Sequence, residues 1–556
     1  MKKNSAMGVV AETVRRKWLL SLGVILSVAA SVVISLLPPL VLEAIINDLT
    51  GGAGVSVGLT LLYFAAIAGD GLFESAREGL LTVFGQKITH AMRARLERKL
   101  TAMSADELTA ADPGAIVSRF TGDVDTVEAL FTSGVISMFA DVCRVISIMA
   151  IILSRSTGLA VVLAAVLPLV FLLTRTVQKR MLKSQLANRA AVARVSGHVP
   201  ETIRCLRTIR MLGKEEYMKQ RYGEYIDESY AAIEKTSFYD AIYSPIILIL
   251  NAVTVAAVML MSASGNPTVL RFFGMSVGTA VAVINYIGQI FTPIESIGME
   301  IQTVQSAVAG IRRINDFLAL PERTVYTASD AGTRTAGSPC VALRDVTFGY
   351  GDEKNVLNKL SFSVNEGEQV TLAGRTGAGK STIFKLILGL YAPRAGSVLV
   401  NGIEAYRIPD ADRRRTYGCV EQSFRMVPGT IRDQITLFDA SITDAAVQEA
   451  ARLVGLDETI RAFPQGYDTP CTPALLSQGQ WQLLSIARAA AANPAVLLLD
   501  GITANLDAET EQRVLAALRR ACEGRTVLSV SHRIYENLGG RTIEIGSQRN
   551  AALSHV

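Results

Sequence analysis

The first 300 residues keep returning to apolar runs long enough to cross a bilayer, and that limits what this half of the chain can fold into. Inside lipid every backbone N–H and C=O needs a partner within the chain, which apolar runs of this length provide as helices. Residues 18–42 contain no charge and carry Pro38-Pro39, a pair expected to kink the outer end of a first span. Further spans are expected at about 51–85, 130–153, 157–174, 241–264 and 272–294, making residues 1–317 an all-α six-helix transmembrane bundle. The second weakens at Asp70, Glu74, Arg77 and Glu78, and the third is interrupted by Asp141 and Arg144. The third and fourth read as a helical hairpin, and Gly265-Asn266-Pro267 is the turn between the last two.

Charge orients this bundle. The connections at 86–128 and 175–239 are long, rich in Lys and Arg and helix-patterned, so they are cytoplasmic and the helices run on past the headgroups. Lys2, Lys3, Arg15, Arg16 and Lys17 precede an apolar run far longer than the core of a secretory signal, with no small-residue cleavage site. The reading is a retained first span with a cytoplasmic N-terminus. The net charge of +5 comes without any basic block interleaved with aromatics, which argues against nucleic acid as a partner. Six cysteines, at 143, 205, 340, 419, 471 and 522, show no C-x-x-C spacing or histidine cluster and read as reduced, packed thiols.

Composition changes to Pro, Thr, Ser, Gly and charge over 318–338, a linker, and residues 339–556 alternate β-rich runs with helical ones, an α/β domain. Within it Gly374-Arg375-Thr376-Gly377-Ala378-Gly379-Lys380-Ser381 follows a strand-like run, 369–373, and opens a helix-like one, 382–390. That context makes it a phosphate-binding loop for ATP or GTP. The glycines let backbone N–H groups face a polyphosphate, Lys380 adds a cation, and Ser381 is placed to ligate Mg²⁺. About 120 residues on, the apolar strand at 495–499 ends in Asp500, the carboxylate on the Mg²⁺ side of such a loop.

Between these two stretches lies Leu476-Ser477-Gln478-Gly479-Gln480, followed by Ser485-Ile486-Ala487-Arg488-Ala489. In that order the motifs resemble the ATP-binding cassette (ABC) family, and six spans followed by a cassette resemble an exporter-type half-transporter over almost the whole chain. The resemblance implies an α/β P-loop ABC ATPase domain binding ATP and Mg²⁺. On it, Tyr350 stacks on adenine, Thr382 continues the nucleotide contact of the loop, and Gln422 reaches Mg²⁺ and the attacking water. His532 contacts the γ-phosphate, and Asp507 belongs to the loop that crosses between cassettes. Ser477, Gln478, Gly479 and Gln480 act in trans on the nucleotide of a second cassette, with Gln478 standing where Gly is usual. Residues 112–125 and 214–225 resemble the two coupling helices.

One departure from the family pattern bears directly on catalysis. The residue after Asp500 is normally a Glu that polarises water, and here it is Gly501. Losing such a general base costs about 10²–10⁴ in rate while leaving ATP binding intact. Two assemblies follow: a heterodimer, favoured, in which this chain lends its signature to a competent partner and keeps a degenerate site, or a homodimer with weak turnover. Whether Gly501 is natural or introduced by design is open in the sequence. Asp141, Arg144, Asn251, Asn285 and Gln289 are polar residues within spans, and candidates equally for a substrate cavity and for helix packing. The expected function is ATP-driven export of a small molecule, drug, lipid or peptide across a membrane, with a bacterial inner membrane as its expected home. The alternatives are a nucleotide-sensing regulatory half, or an importer built on exporter-like helices.

Overall fold

The computed structural model describes residues 5–52, 54, 56–155, 157–263, 276–327, 337–351, 354–375, 377–501, 507–530 and 540–546. The chain divides into two units, Met1–Thr101 with Asp112–Leu320, and Ala102–Ala111 with Pro321–Val556.

The first unit is helical throughout its described residues. Helix α1 (Ala6–Arg16) is capped by Ser5, whose side chain accepts from the Gly8 N–H at 3.1 Å. It is followed by α2 (Trp18–Ser35), α3 (Leu37–Thr50), α4 (Val57–Ala102), α5 (Val135–Arg155), α6 (Thr157–Met211), α7 (Glu215–Ala263) and α8 (Val277–Ala319). The break between α2 and α3 falls at Leu36, just before Pro38 and Pro39, which lack the N–H groups a continuous helix needs. The hydroxyl of buried Tyr286 on α8 donates to the Leu36 carbonyl at 2.7 Å and fixes the break in place. The second helix begins at Val57 rather than at 51, because Gly51 caps α3 and Gly52 turns at φ +75°.

Helices α4, α6, α7 and α8 run for 46, 55, 49 and 43 residues, where a hydrocarbon core takes only about 20. Among the described residues, Trp18–Thr50, Val57–Ala102 and Pro113–Arg155 are long and apolar enough to cross a membrane, and Pro245–Ala257 and Val277–Pro293 are shorter apolar stretches. Ile148 and Ile152 of α5 pack with Leu163 of α6, Ile247 of α7 and Tyr286, Ile287 and Ile290 of α8 into one buried cluster. Large apolar side chains such as Leu19, Ile25 and Phe64 stay more than 60% exposed, as expected of surfaces that meet lipid rather than water. A second anchor is Asp123, buried on a π-helical turn (Arg119–Asp123) and held by Arg313 Nε at 3.0 Å to both carboxylate oxygens.

The second unit has two sheets. Strands β1 (Val341–Phe348), β2 (Leu357–Val364), β4 (Ala395–Val400) and β5 (Ile403–Glu404) form an antiparallel sheet in the order β2-β1-β4-β5. Strands β3 (Gln369–Ala373), β6 (Tyr417–Val420), β7 (Val496–Asp500), β8 (Thr526–Val530) and β9 (Arg541–Glu544) form a parallel sheet in the order β6-β7-β8-β3-β9. Its central strand β7 is apolar on both faces, as a covered parallel sheet requires: Val496 to Leu499 are each no more than 1% exposed. Among its helices are α9 (Lys380–Ile387), α10 (Ile431–Thr436), α11 (Asp444–Val454), α12 (Gln478–Ala490) and α13 (Ala508–Cys522), the last three packing Val447, Leu483, Leu484, Val514 and Leu518 into a shared core. The cysteines are all free thiols, but not all packed, since Cys340 and Cys522 are buried while Cys205 is exposed on α6.

Candidate functional site

A parallel sheet brings the carboxyl ends of its strands to one edge, and ligands of open α/β sheets sit at that edge. Here Val420 pairs with Leu499 and Asp500 with Val530, so the chain after β6, β7 and β8 emerges beside the loop after β3. Gln422, Asp500, Gly501 and the phosphate loop therefore meet although as many as about 125 residues separate them. Thr376 and His532 lie outside the described residues, as do Asn505 and Leu506.

The loop itself needs its glycines. Gly374, Gly377 and Gly379 have φ of +148°, +84° and +93°, and a Cβ on Gly374 would fall 2.5 Å from the Ile545 carbonyl oxygen. Gly379 caps α9 without a side chain, so the first N–H groups of that helix have no partner within it. The Lys380 ammonium donates to the carbonyls of Gly374 at 2.7 Å and Arg375 at 2.9 Å. A cation in the first turn opposes the helix dipole, an arrangement that makes electrostatic sense for a site built to take an anion. A cavity of about 520 Å³ is bordered by Gly374, Arg375, Gly377, Ala378 and, from the end of β9, Glu544, Ile545 and Gly546. The β9 contribution has no motif in the sequence that could have announced it.

Asp500 is held against this loop. Partial burial raises its carboxyl above the ordinary range, opposed by the Lys380 charge and by a hydrogen bond with Ser381. A carboxylate and a hydroxyl in contact beside a polyphosphate cradle form the hard oxygen set that suits Mg²⁺. Gly501 follows at φ +57°, and a Cβ there would lie 3.7 Å from the Gln422 side chain, in ordinary contact. Gln422 is exposed, with its carbonyl taken by Gln482 Nε2 at 2.6 Å, which ties it to α12.

Tyr350 stands two residues beyond the end of β1 rather than within it. Its hydroxyl lies 3.1 Å from Thr382 Oγ1, its ring packs edge-on to Phe348 and Tyr391, and Lys385 Nζ sits 5.2 Å from its centroid. Tyr350 and Thr382 thus come together, and Lys385 and Tyr391 join them without having been singled out from the sequence.

The second motif is a helix start. Ser477 caps α12 in a capping box, its side chain accepting from the Gln480 N–H while Gln480 Oε1 accepts from the Ser477 N–H at 2.9 Å. Gln478 opens the helix, and Gly479 admits α13, because a Cβ at 479 would stand 2.1 Å from Thr510 Cγ2. Asp507 caps α13 by accepting from the Thr510 N–H at 2.7 Å and hydroxyl at 2.9 Å, contacts that hold its carboxyl below the usual range. Ser477, Gly479 and Asp507 are therefore parts of one joint. Farther along α12, Arg488 donates from Nε to the Gln434 carbonyl at 2.6 Å and from Nη1 to the Arg425 carbonyl at 2.9 Å, and lies 4.1 Å from the Phe424 ring centroid. Burial pushes this guanidinium down to about 10. The network fixes the segment after Gln422 to the helix that Ser477 starts.

Comparison with known proteins places this architecture. Residues 20–294 match the family described as ABC transporter transmembrane region, and residues 357–504 match the family described as ABC transporter. An ATP-dependent lipid A-core flippase of Pseudomonas fluorescens (strain Pf0-1) is 30% identical over 485 residues, covering 85% of this chain and 78% of the relative. An uncharacterized ABC transporter ATP-binding protein, YfiC of Bacillus subtilis (strain 168), is 28% identical over 93% of this chain and 86% of its own length. Among solved structures, a bacterial Atm1-family ABC exporter with ATP bound superposes with a TM-score of 0.76 at 23% identity, covering 96% of this chain and 94% of the other. With a phosphate cradle and an Asp-tipped strand on one sheet edge, a capped signature helix, and a helical membrane unit earlier in the sequence, the chain belongs to the ABC transporter family, with transmembrane region and ATP-binding cassette fused in one polypeptide.

Proposed function

We propose that this chain is one half of an exporter that moves an amphiphilic molecule across a bacterial inner membrane, cassette and N-terminus in the cytoplasm, and that its own ATP site binds nucleotide but turns it over slowly. The observation that carries the second part is the end of β7. Asp500 is in place against Ser381, and the next residue, Gly501, has no side chain to take a proton from water.

In this reading the N–H groups of 377–381 and the Lys380 ammonium hold the polyphosphate, with Gly374, Arg375, Thr376, Gly377, Ala378 and Gly379 forming the cradle around it. Tyr350 offers its ring to the base, and Ser381, Asp500 and Gln422 hold Mg²⁺, whose charge offsets that of the phosphates. His532, outside the described residues, is given contact with the terminal phosphate by the family resemblance alone. Ser477, Gln478, Gly479 and Gln480 cap the nucleotide of a second half-transporter, which supplies the missing base at its own site and makes a heterodimer the favoured assembly. Support for export comes from the relatives: a lipid A-core flippase at 30% identity and an exporter sharing the fold. The test is ATP hydrolysis by the purified chain in lipid, alone and with candidate partners carrying Glu at the position of Gly501. Slow turnover alone and fast turnover in one pair supports the proposal, and fast turnover by the single chain contradicts it.

A further inference from the structure

The ring of Tyr350 is gripped from one side of α9. Thr382 and Lys385 lie three residues apart on that helix, a spacing that puts both side chains on the same face. Thr382 Oγ1 is 3.1 Å from the Tyr350 hydroxyl, and the Lys385 ammonium stands over the ring, 5.2 Å from its centroid. Phe348 and Tyr391 pack nearly at right angles to the same ring, with centroids 5.1 and 5.4 Å away and interplanar angles of 84° and 87°. Four side chains thus fix this one ring, and two of them come from the helix whose first turn carries Lys380 and Ser381.

Lys385 is half-buried, and no carboxylate among the described residues forms an ion pair with it, so the ring is where its charge acts. An aromatic face carries partial negative charge, and for that reason two flat rings stacked squarely repel each other. A cation over one face draws that charge towards itself and leaves the opposite face a better platform for a purine. We propose that Lys385 is a positioning residue for the nucleotide: its ammonium orients and polarises the Tyr350 ring so that the free face stacks on adenine, strengthening the hold on the base while leaving the hold on the phosphates unchanged. This rests on the reading of Tyr350 as the platform of the base and adds to it the residue that tunes the platform.

The test is equilibrium binding of radiolabelled ATP in magnesium buffer by the full chain in phosphatidylcholine nanodiscs, with inorganic tripolyphosphate as a competitor that has no base. Lys385→Met, which keeps the length of the side chain and removes its charge, is expected to weaken ATP binding about three- to tenfold. The same variant should bind tripolyphosphate as the unaltered chain does, and Lys385→Arg, which restores a cation, should bind ATP normally. With Tyr350→Ala already in place, Lys385→Met should add no further loss, because the two residues act as one unit. Unchanged ATP affinity in Lys385→Met, an equal loss for tripolyphosphate, the same loss in the Tyr350→Ala background, or no recovery in Lys385→Arg overturns the assignment. If Lys385→Met fails to fold, Lys385→Gln carries the same comparison. Full ATP affinity in Tyr350→Ala would bring down the platform reading itself, whereas a loss there with none in Lys385→Met would bring down only the role of Lys385.

Discussion

The phosphate loop and the end of β7 lie side by side on the same sheet edge, yet they are equipped very differently. Residues 374–381 carry three glycines in left-handed conformations, a helix N-terminus and a lysine folded over the loop. The chain after Asp500 carries a glycine where water would need a base. On the proposed reading the contrast separates two properties that one fold usually couples: this chain keeps the loop residues for holding a nucleotide and lacks the general base for cleaving it.

Putting the base back should have the largest effect. Gly501→Glu is expected to raise the turnover of the full chain by about 10²–10⁴-fold, read as phosphate release. The φ of +57° at this position makes a side chain cost about 1–2 kcal/mol of stability. A rise below about threefold would break the comparison, since the deficit would then lie elsewhere in the site. Next in size, Lys380→Ala removes the cation of the loop and should weaken ATP retention roughly 10–100-fold, measured by filter binding, with β7 untouched.

The smaller effects concern the joint at the signature helix. Gly479→Ala forces a methyl to 2.1 Å from Thr510 Cγ2 and should lower the unfolding free energy by about 1–3 kcal/mol in denaturant titrations. The double change with Thr510→Ser, which deletes that methyl but keeps the hydroxyl on Asp507, should recover most of the loss. Asp507→Ala removes a helix cap and should cost about 0.5–2 kcal/mol in the same titration. No loss in either case would mean that the joint does not stabilise the cassette.

Much of the cassette can be read in residue types alone, because a phosphate loop, an Asp-tipped strand and a Ser-capped helix each need particular residues at fixed spacing. The strand order β6-β7-β8-β3-β9 cannot, since it depends on pairings such as Gly418 with Leu497, far apart in sequence. Gly479 is legible as part of a motif but not as the gap that admits Thr510, a contact with no local signal. The same limit governs the membrane unit. Asp141 and Arg144, three residues apart on one helix, suggest a local pair, and nothing in that spacing announces that Arg144 comes to 4.0 Å from Glu74 on another helix. Asn285 bonds back to the Val281 carbonyl at 3.0 Å, an ordinary helix contact, while Asn251 Oδ1 and Gln289 Oε1 are buried without a hydrogen bond. Glu300 falls beyond the last apolar run, so hydropathy gives no reason to look there, and only packing reveals its burial.

The most direct test is a single-turnover experiment on the purified chain, in lipid and without a partner, with γ-labelled ATP and Mg²⁺ at less than one equivalent. Label that stays on the protein as intact ATP for many minutes, and is released as phosphate once Gly501→Glu is introduced, is the expected result. Prompt phosphate release by the unaltered chain would contradict the separation of binding from cleavage.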